Sequence, residues 1–125
     1  MFRISSKEEF NAYFESHGDL SFTRIEGLKL PSGPLPSLAQ ATMLDCVLPA
    51  GLTMPENLEG ALFVGCRMRG LRFRRSNLFN ACFIRCDLSE SEFEACDLST
   101  TEFNDCLMTA TRLIDCDLPD PAIAA

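Results

Sequence analysis

A five-residue period constrains the fold of this 125-residue chain more than any other feature. Stepping by five from Leu58 to Leu118 meets Leu, Phe or Met at all thirteen positions. A second series stands two residues before each of these positions. Its residues are small at eleven of the thirteen places, and Glu56 and Leu71 are the exceptions. This period fits neither a helix nor a simple strand. Because alternate residues of an extended segment share a face, the small and the large residue both point inward before the chain turns.

Four such segments form one square coil of 20 residues, which predicts the residues that stack in successive coils. The stacked series include one of cysteines and one of phenylalanines: Cys46, Cys66, Cys86, Cys106; Phe63, Phe83, Phe103. The same spacing extends the solenoid back to about Leu38. The match fails at Gly51, Thr53 and Glu56 within a proline-containing stretch, where we expect bulged or looped sides because proline cannot donate to a ladder.

Several units, such as Cys86-Asp87-Leu88-Ser89-Glu90 and Cys96-Asp97-Leu98-Ser99-Thr100, resemble the A(D/N)LXX unit of the pentapeptide-repeat family. The resemblance implies an all-β fold, a right-handed quadrilateral β-helix, and the length suggests about four to five coils. We assign residues 58–118 to the regular solenoid, 20–57 to irregular first coils and 119–125 to a C-terminal tail.

The N-terminal segment predicts a short helix at about residues 6–16. Ser6 and Glu9 have the spacing of a capping box, and Gly18 is a plausible stop. Phe10, Tyr13 and Phe14 then share one helical face. We expect residues 1–19 to cap the solenoid. The alternative is an amphipathic helix that binds a partner.

Charge is distributed in blocks that the 20-residue coil brings together. Residues 60–85 carry six arginines and no acid, whereas residues 86–120 carry ten acids and only Arg112. One coil apart lie four pairs of opposite charge: Arg67 and Asp87, Arg72 and Glu92, Arg74 and Glu94, Arg85 and Asp105. We interpret them as an ion-pair ladder. Charges without such a partner form the candidate interaction surface: Arg69, Arg75, Glu90, Asp97, Glu102, Asp115, Asp117.

The seven cysteines are interpreted mainly as small apolar core residues. Only Cys82 falls outside the inward series. The odd count and the absence of an apolar leader at the N-terminus favour a reducing bacterial cytoplasm. With a single histidine and no ligand cluster in the sequence, we expect no catalytic site, no metal and no cofactor.

A net charge of −7 disfavours non-specific nucleic-acid binding, and no apolar run is long enough to span a membrane. The hypothesis is a non-enzymatic scaffold or adaptor that binds a protein partner through its outer faces. One alternative comes from the resemblance: some pentapeptide-repeat proteins, including quinolone-resistance proteins, act on DNA gyrase by mimicking DNA. Another is a self-assembling structural element, including a homodimer formed through the C-terminal end of the solenoid.

Overall fold

The computed structural model describes residues 1–119, so most of the predicted tail, residues 120–125, lies outside the described residues. Within the described residues, one helix and nine short strands follow one another: β1 Phe2–Ile4, α1 Lys7–His17, β2 Thr23–Glu26, β3 Thr42–Leu44, β4 Leu62–Val64, β5 Arg72–Arg74, β6 Cys82–Ile84, β7 Glu92–Glu94, β8 Glu102–Asn104, β9 Arg112–Ile114.

The strands stack in parallel on two sides of a four-sided solenoid. One side is a six-stranded sheet in the order β1-β2-β3-β4-β6-β8, and another is a three-stranded sheet in the order β5-β7-β9. The remaining two sides are held by single parallel bridges such as Arg67 to Asp87 and Asn77 to Asp97. The predicted pentapeptide-repeat β-helix is thereby confirmed.

The solenoid has about six turns rather than four to five, since each strand of the larger sheet marks one turn. The additional first turn begins at β1, which pairs with β2 through Ile4 and Ile25. In the sequence, helix α1 separates β1 from β2 and interrupts the five-residue period. The sequence pattern therefore does not reveal β1 as part of the coil.

The predicted 20-residue register holds throughout the regular coils. Phe63 pairs with Phe83, and Phe83 pairs with Phe103. The ring centroids of these two pairs lie 5.0 and 5.2 Å apart with nearly parallel planes. Phe73 and Phe93 stack in the same way at 4.3 Å and meet the Phe83 ring edge-on. The core is therefore a continuous column of interlocked aromatic rings.

The first coils depart from this register at the positions where the sequence pattern fails. Ile25 pairs with Met43, 18 residues later, and Thr53 bridges Arg72, 19 residues later. The shift of one residue turns Thr53 outward and buries Leu52 and Met54. The irregular sides of residues 20–57 thus preserve an apolar interior by shortening the coil.

Helix α1 begins and ends close to the predicted residues. The Ser6 hydroxyl accepts a hydrogen bond from the Glu9 N–H at 3.1 Å, and Gly18, at φ 68°, donates its N–H to Phe14. The Glu9 carboxylate accepts from the backbone N–H and hydroxyl of Ser5 rather than from the Ser6 N–H, and these bonds lower the pKa of Glu9.

The aromatic face of the helix is directed into the solenoid. Phe10 is buried in the core, while Tyr13 and Phe14 are partly buried against it. The Tyr13 ring also contacts Phe2 in a tilted arrangement and stacks on His17, the only histidine in the chain. These contacts agree with the capping interpretation, because most of the aromatic face packs against the solenoid core.

Candidate interaction surface

Each side of the solenoid presents two outward residues that flank its central inward residue. In β3, β4 and β6 these outward residues are almost all apolar and each is partly exposed. We call this surface the apolar face: Leu44, Leu62, Val64, Cys82, Ile84. The corresponding positions of β5, β7 and β9 carry charge instead, apart from Ile114: Arg72, Arg74, Glu92, Glu94, Arg112.

The apolar face is bounded by polar groups at both ends of the six-stranded sheet. In β2, the Glu26 carboxylate pairs with Arg24 at 2.6 Å and with Arg3 of β1 at 2.7 Å. At the other end, β8 presents Glu102 and Asn104. Phe79, 49% exposed, precedes the corner that leads into β6 and adds a large apolar side chain beside the face.

The apolar face was not among the surfaces expected from the sequence. Its residues are nevertheless marked by the same spacing of 20, since Leu44, Val64 and Ile84 occupy equivalent positions in successive coils. Leu62 and Cys82 form the second series. Reading the outward series for hydrophobicity, as well as for charge, would have found them.

The predicted ion-pair ladder forms in part. Arg74 pairs with Glu94 at 3.4 Å, and Arg112 pairs with Glu92 at 3.5 Å. Across residues 1–119, the other expected pairs stack in register without a nitrogen–oxygen contact within 4 Å: Arg67 and Asp87, Arg72 and Glu92, Arg85 and Asp105. Such exposed pairs contribute little free energy each, about 0–1 kcal/mol, but they favour one register over its neighbours.

The expectation that Arg69 and Glu90 lack partners is wrong, because they pair with each other. The Arg69 Nε lies 2.9 Å from Glu90 Oε2, a hydrogen bond that lowers the pKa of the Glu90 carboxyl. The two residues are 21 rather than 20 positions apart. The long arginine side chain reaches diagonally to the next corner, which a strictly vertical stacking scheme does not anticipate.

The remaining candidates are dispersed over different sides of the solenoid. Asp97 and Asp117 stack on one bridged side, and the Asp97 carboxylate accepts the Ser99 N–H at 2.9 Å. Arg75 and Asp115 occupy corners with positive φ. Glu102 lies at the edge of the apolar face. The geometry does not assemble these charges into one site, and a partner surface built from them stays a prediction.

The inward cysteines repeat one contact along the solenoid. Cys66, Cys86 and Cys96 each donate to the carbonyl oxygen of the residue 23 positions earlier, at 3.3–3.4 Å. Burial raises the pKa of Cys96 and Cys106. These thiols are therefore small side chains of the core that donate hydrogen bonds to the backbone. All seven cysteines are free.

Cys82 differs because it points outward in β6. Partial burial, followed by the nearby charge of Glu102, raises the pKa of its thiol. Within residues 1–119, no group of three or more His, Cys, Asp and Glu side chains is arranged to hold a metal ion. In the same residues, no helix has the length and apolar character needed to cross a membrane.

The four-sided coil and its outward surfaces define the chain as a β-solenoid scaffold. Residues 57–94 match the family model for pentapeptide repeats in eight copies. This segment of the chain is therefore built of pentapeptide repeats. No curated protein matches it.

Two solved structures are similar to the chain. The pentapeptide-repeat protein Rfr23 from the cyanobacterium Cyanothece 51142 is 12% identical and superposes with a TM-score of 0.50, covering 90% of this chain and 99% of that chain. QnrB1, a plasmid-mediated fluoroquinolone resistance protein, is 21% identical with a TM-score of 0.39, covering 74% of this chain and 52% of that chain. At these identities the similarity to Rfr23 supports the fold alone.

Proposed function

We propose that the protein is a non-enzymatic adaptor that binds a protein partner through the apolar face. The observation that carries this proposal is the contrast between two sides of one solenoid. Outward positions of β4 and β6 hold Leu62, Val64 and Ile84, whereas all equivalent positions of β5 and β7 hold charged residues. A contiguous, partly exposed apolar surface with a polar boundary is typical of a protein-binding site.

The fold supplies the rigidity that such a surface needs. The inward residue between each outward pair is a fully buried phenylalanine or methionine in β3, β4 and β6. Parallel backbone pairing then fixes neighbouring strands about 4.8 Å apart. The outward side chains therefore form an ordered, flat array, and a partner with a complementary flat apolar surface binds without ordering a loop.

A double variant can replace two apolar side chains of the apolar face by an ion pair that another side of the solenoid already carries. Val64→Arg with Ile84→Glu reproduces on β4 and β6 the Arg74–Glu94 pair of β5 and β7. The matched control exchanges that existing pair, Arg74→Glu with Glu94→Arg. Both variants retain the net charge and both place opposite charges one coil apart.

The experiment is a pull-down from the native host with the wild-type chain and both variants. We expect a partner to be retained by wild type and control and lost by the double variant on the apolar face. Circular dichroism and thermal unfolding establish that all three chains are folded. If the apolar-face variant retained every partner that the wild-type chain binds, the proposal would be contradicted.

Self-assembly is a second candidate, favoured by the exposure of the last turn. Its inward residues Leu113 and Leu118 are 44% and 56% exposed, and Phe103 and Met108 are only partly buried. End-to-end contact between two chains would cover these side chains in a C2 dimer. Sedimentation at several concentrations tests this, and we expect Leu113→Lys to lower the apparent mass if the ends associate.

The gyrase alternative depends on the acidic charge of residues 86–117. Three of those carboxylates are held by arginines, in the pairs Arg69–Glu90, Arg112–Glu92 and Arg74–Glu94. This pairing interrupts the negative surface that a DNA mimic presents. We expect no inhibition in a supercoiling assay at micromolar protein, and inhibition at that concentration would favour the mimic.

A further inference from the structure

A cavity of about 480 Å³ lies between helix α1 and the loops of the first coils. Its apolar wall is made by one aromatic residue of the helix, by residues that follow β2 and by one proline that follows β3: Phe10, Leu28, Leu30, Pro31, Pro49. Volumes of this size are typical of sites that bury a ligand group. This cavity shares no lining residue with the apolar face, which lies on β3, β4 and β6.

Two neighbouring cavities share residues with it, and Ser32 lines all three. One, of about 290 Å³, shares Phe10, Asn11 and Pro31 with the first cavity and extends along the helix to Glu15. The other, of about 400 Å³, shares Ser32 and Pro49 and follows the loop to Thr53. We call the three together the proline trough.

The length of the proline trough suits an extended peptide. From Lys7 to Glu15 the helix rises about 12 Å, at about 1.5 Å per residue. An extended chain covers that distance with about four residues, at about 3.3 Å each. Asn11, exposed on the helix, can donate to and accept from the backbone of such a segment.

Two basic side chains line the first cavity of the trough. Lys7 and Lys29 are the only lysines in a chain of net charge −7, and both line the same cavity. Both are exposed, and across residues 1–119 neither has a carboxylate within 4 Å. Glu15 lines the neighbouring cavity instead. An apolar trough with two ammonium groups that lack a carboxylate partner selects a ligand that is mainly apolar and carries an anionic group opposite those lysines.

We propose that the proline trough binds a short extended segment of a partner protein in which an acidic residue precedes or follows apolar residues. The carboxylate lies between Lys7 and Lys29, and the apolar side chains pack against Phe10, Leu30 and Pro31. The segment is bound by shape and charge, because the prolines of the wall offer no N–H for pairing.

A library of random heptapeptides displayed on phage, selected against the full chain, supplies the probe. We expect the enriched peptides to combine Asp or Glu with Leu, Ile, Phe or Pro. A synthetic peptide of the enriched sequence is then titrated against wild type and the double variant Lys7→Glu with Lys29→Glu, which we expect to weaken binding about tenfold or more. Glutamate at position 7 is compatible with the first turn of a helix, so the fold is preserved.

The matched control is Arg75→Glu with Arg85→Glu, which makes the same change of charge at two corners outside the trough. We expect this control to bind the peptide as wild type does. Amide shifts confined to residues 7–15, 28–34 and 49–53 on titration would place the peptide in the trough. Selection of no peptide, enrichment of sequences lacking an acidic residue, or equal weakening by both variants would overturn the proposal.

Discussion

The Sγ atom of Cys86 lies 3.3 Å from the carbonyl oxygen of Phe63, a residue of the preceding turn. Hydroxyl groups make the same contact elsewhere, since Ser91 donates to Met68 and Thr101 donates to Leu78, both at 2.8 Å. The inward small position thus favours two properties, a small volume and a hydrogen that can reach back one turn, although Ala61 and Ala81 have only the first. Cysteine meets both while remaining largely apolar.

This relationship predicts different outcomes for two substitutions of Cys86. Cys86→Ser keeps a donor of similar size, so the free energy of unfolding should stay within about 1 kcal/mol of wild type. Cys86→Ala loses the donor and leaves a small void, and should cost about 1–2 kcal/mol. Urea denaturation of both variants measures the difference. Equal stability of the alanine variant and wild type would show that the thiol contributes only volume.

Cys82 provides a prediction about reactivity. Its pKa is raised by partial burial and by the charge of Glu102, whose carboxylate lies 3.9 Å from the thiol. Glu102→Gln removes that charge, lowers the pKa of Cys82 and increases the fraction of thiolate at pH 8. Iodoacetamide labelling followed by peptide mapping should therefore be faster at Cys82 in the variant. The buried Cys66 is the internal control, and its labelling should not change.

The sequence determined the fold to the extent that the five-residue period is unbroken. From Leu58 onward, inward residues, register and stacked aromatics all agree with the structure. Strand β1 was missed because helix α1 separates it from its neighbour by a non-repeating segment. The sequence pattern located the irregularity near Thr53 but did not show which of its residues turn inward. A side that is one residue shorter can change its backbone path at either of its two corners.

The candidate surface was harder to predict for a different reason. Charges were assigned by vertical stacking, but side chains such as Arg69 reach a residue on the adjacent corner. The apolar face was not predicted because only the charges of the outward series were used, although Leu44, Val64 and Ile84 recur there at the same spacing of 20. The proline trough depends on where α1 packs, and no local pattern in the sequence specifies that.

Asp97 yields a prediction about pH. Hydrogen bonds from the Ser99 hydroxyl and its backbone N–H lower the pKa of the Asp97 carboxyl. A lowered folded-state pKa adds stability above the unfolded pKa, and this contribution is lost as pH falls through the folded value. Asp97→Asn keeps the hydrogen bond from residue 99, as Asn57 and Asn77 do for Glu59 and Phe79, but it does not titrate.

Wild type should therefore lose stability relative to Asp97→Asn as the pH is lowered from 7 to about 2. Urea denaturation at intervals across this range gives the difference in free energy, and carbon-13 titration of the aspartates gives the pKa directly. A constant difference between the two proteins over the whole range would contradict the assignment of Asp97 as a hydrogen-bonded carboxylate in the folded state.

Phe83 should be the most costly aromatic side chain to remove from the core. Its ring lies between Phe63 at 5.0 Å and Phe103 at 5.2 Å, and meets Phe73 and Phe93 edge-on at 6.0 and 6.4 Å. Phe83→Ala leaves a cavity among four rings and should destabilise the chain by about 3–5 kcal/mol. Phe103 is only partly buried in the last turn, so Phe103→Ala should cost less.

Because turns of a solenoid contact only their neighbours, the same comparison tests how cooperative the structure is. Loss of the central Phe83 should lower the whole unfolding transition, since both flanking turns lose their aromatic partner. Phe103→Ala should fray the last turn and leave the main transition close to wild type. Circular dichroism and amide exchange of the two variants separate these outcomes. If both variants lost protection of their amides against exchange only in the last turn, the aromatic column would not couple the turns.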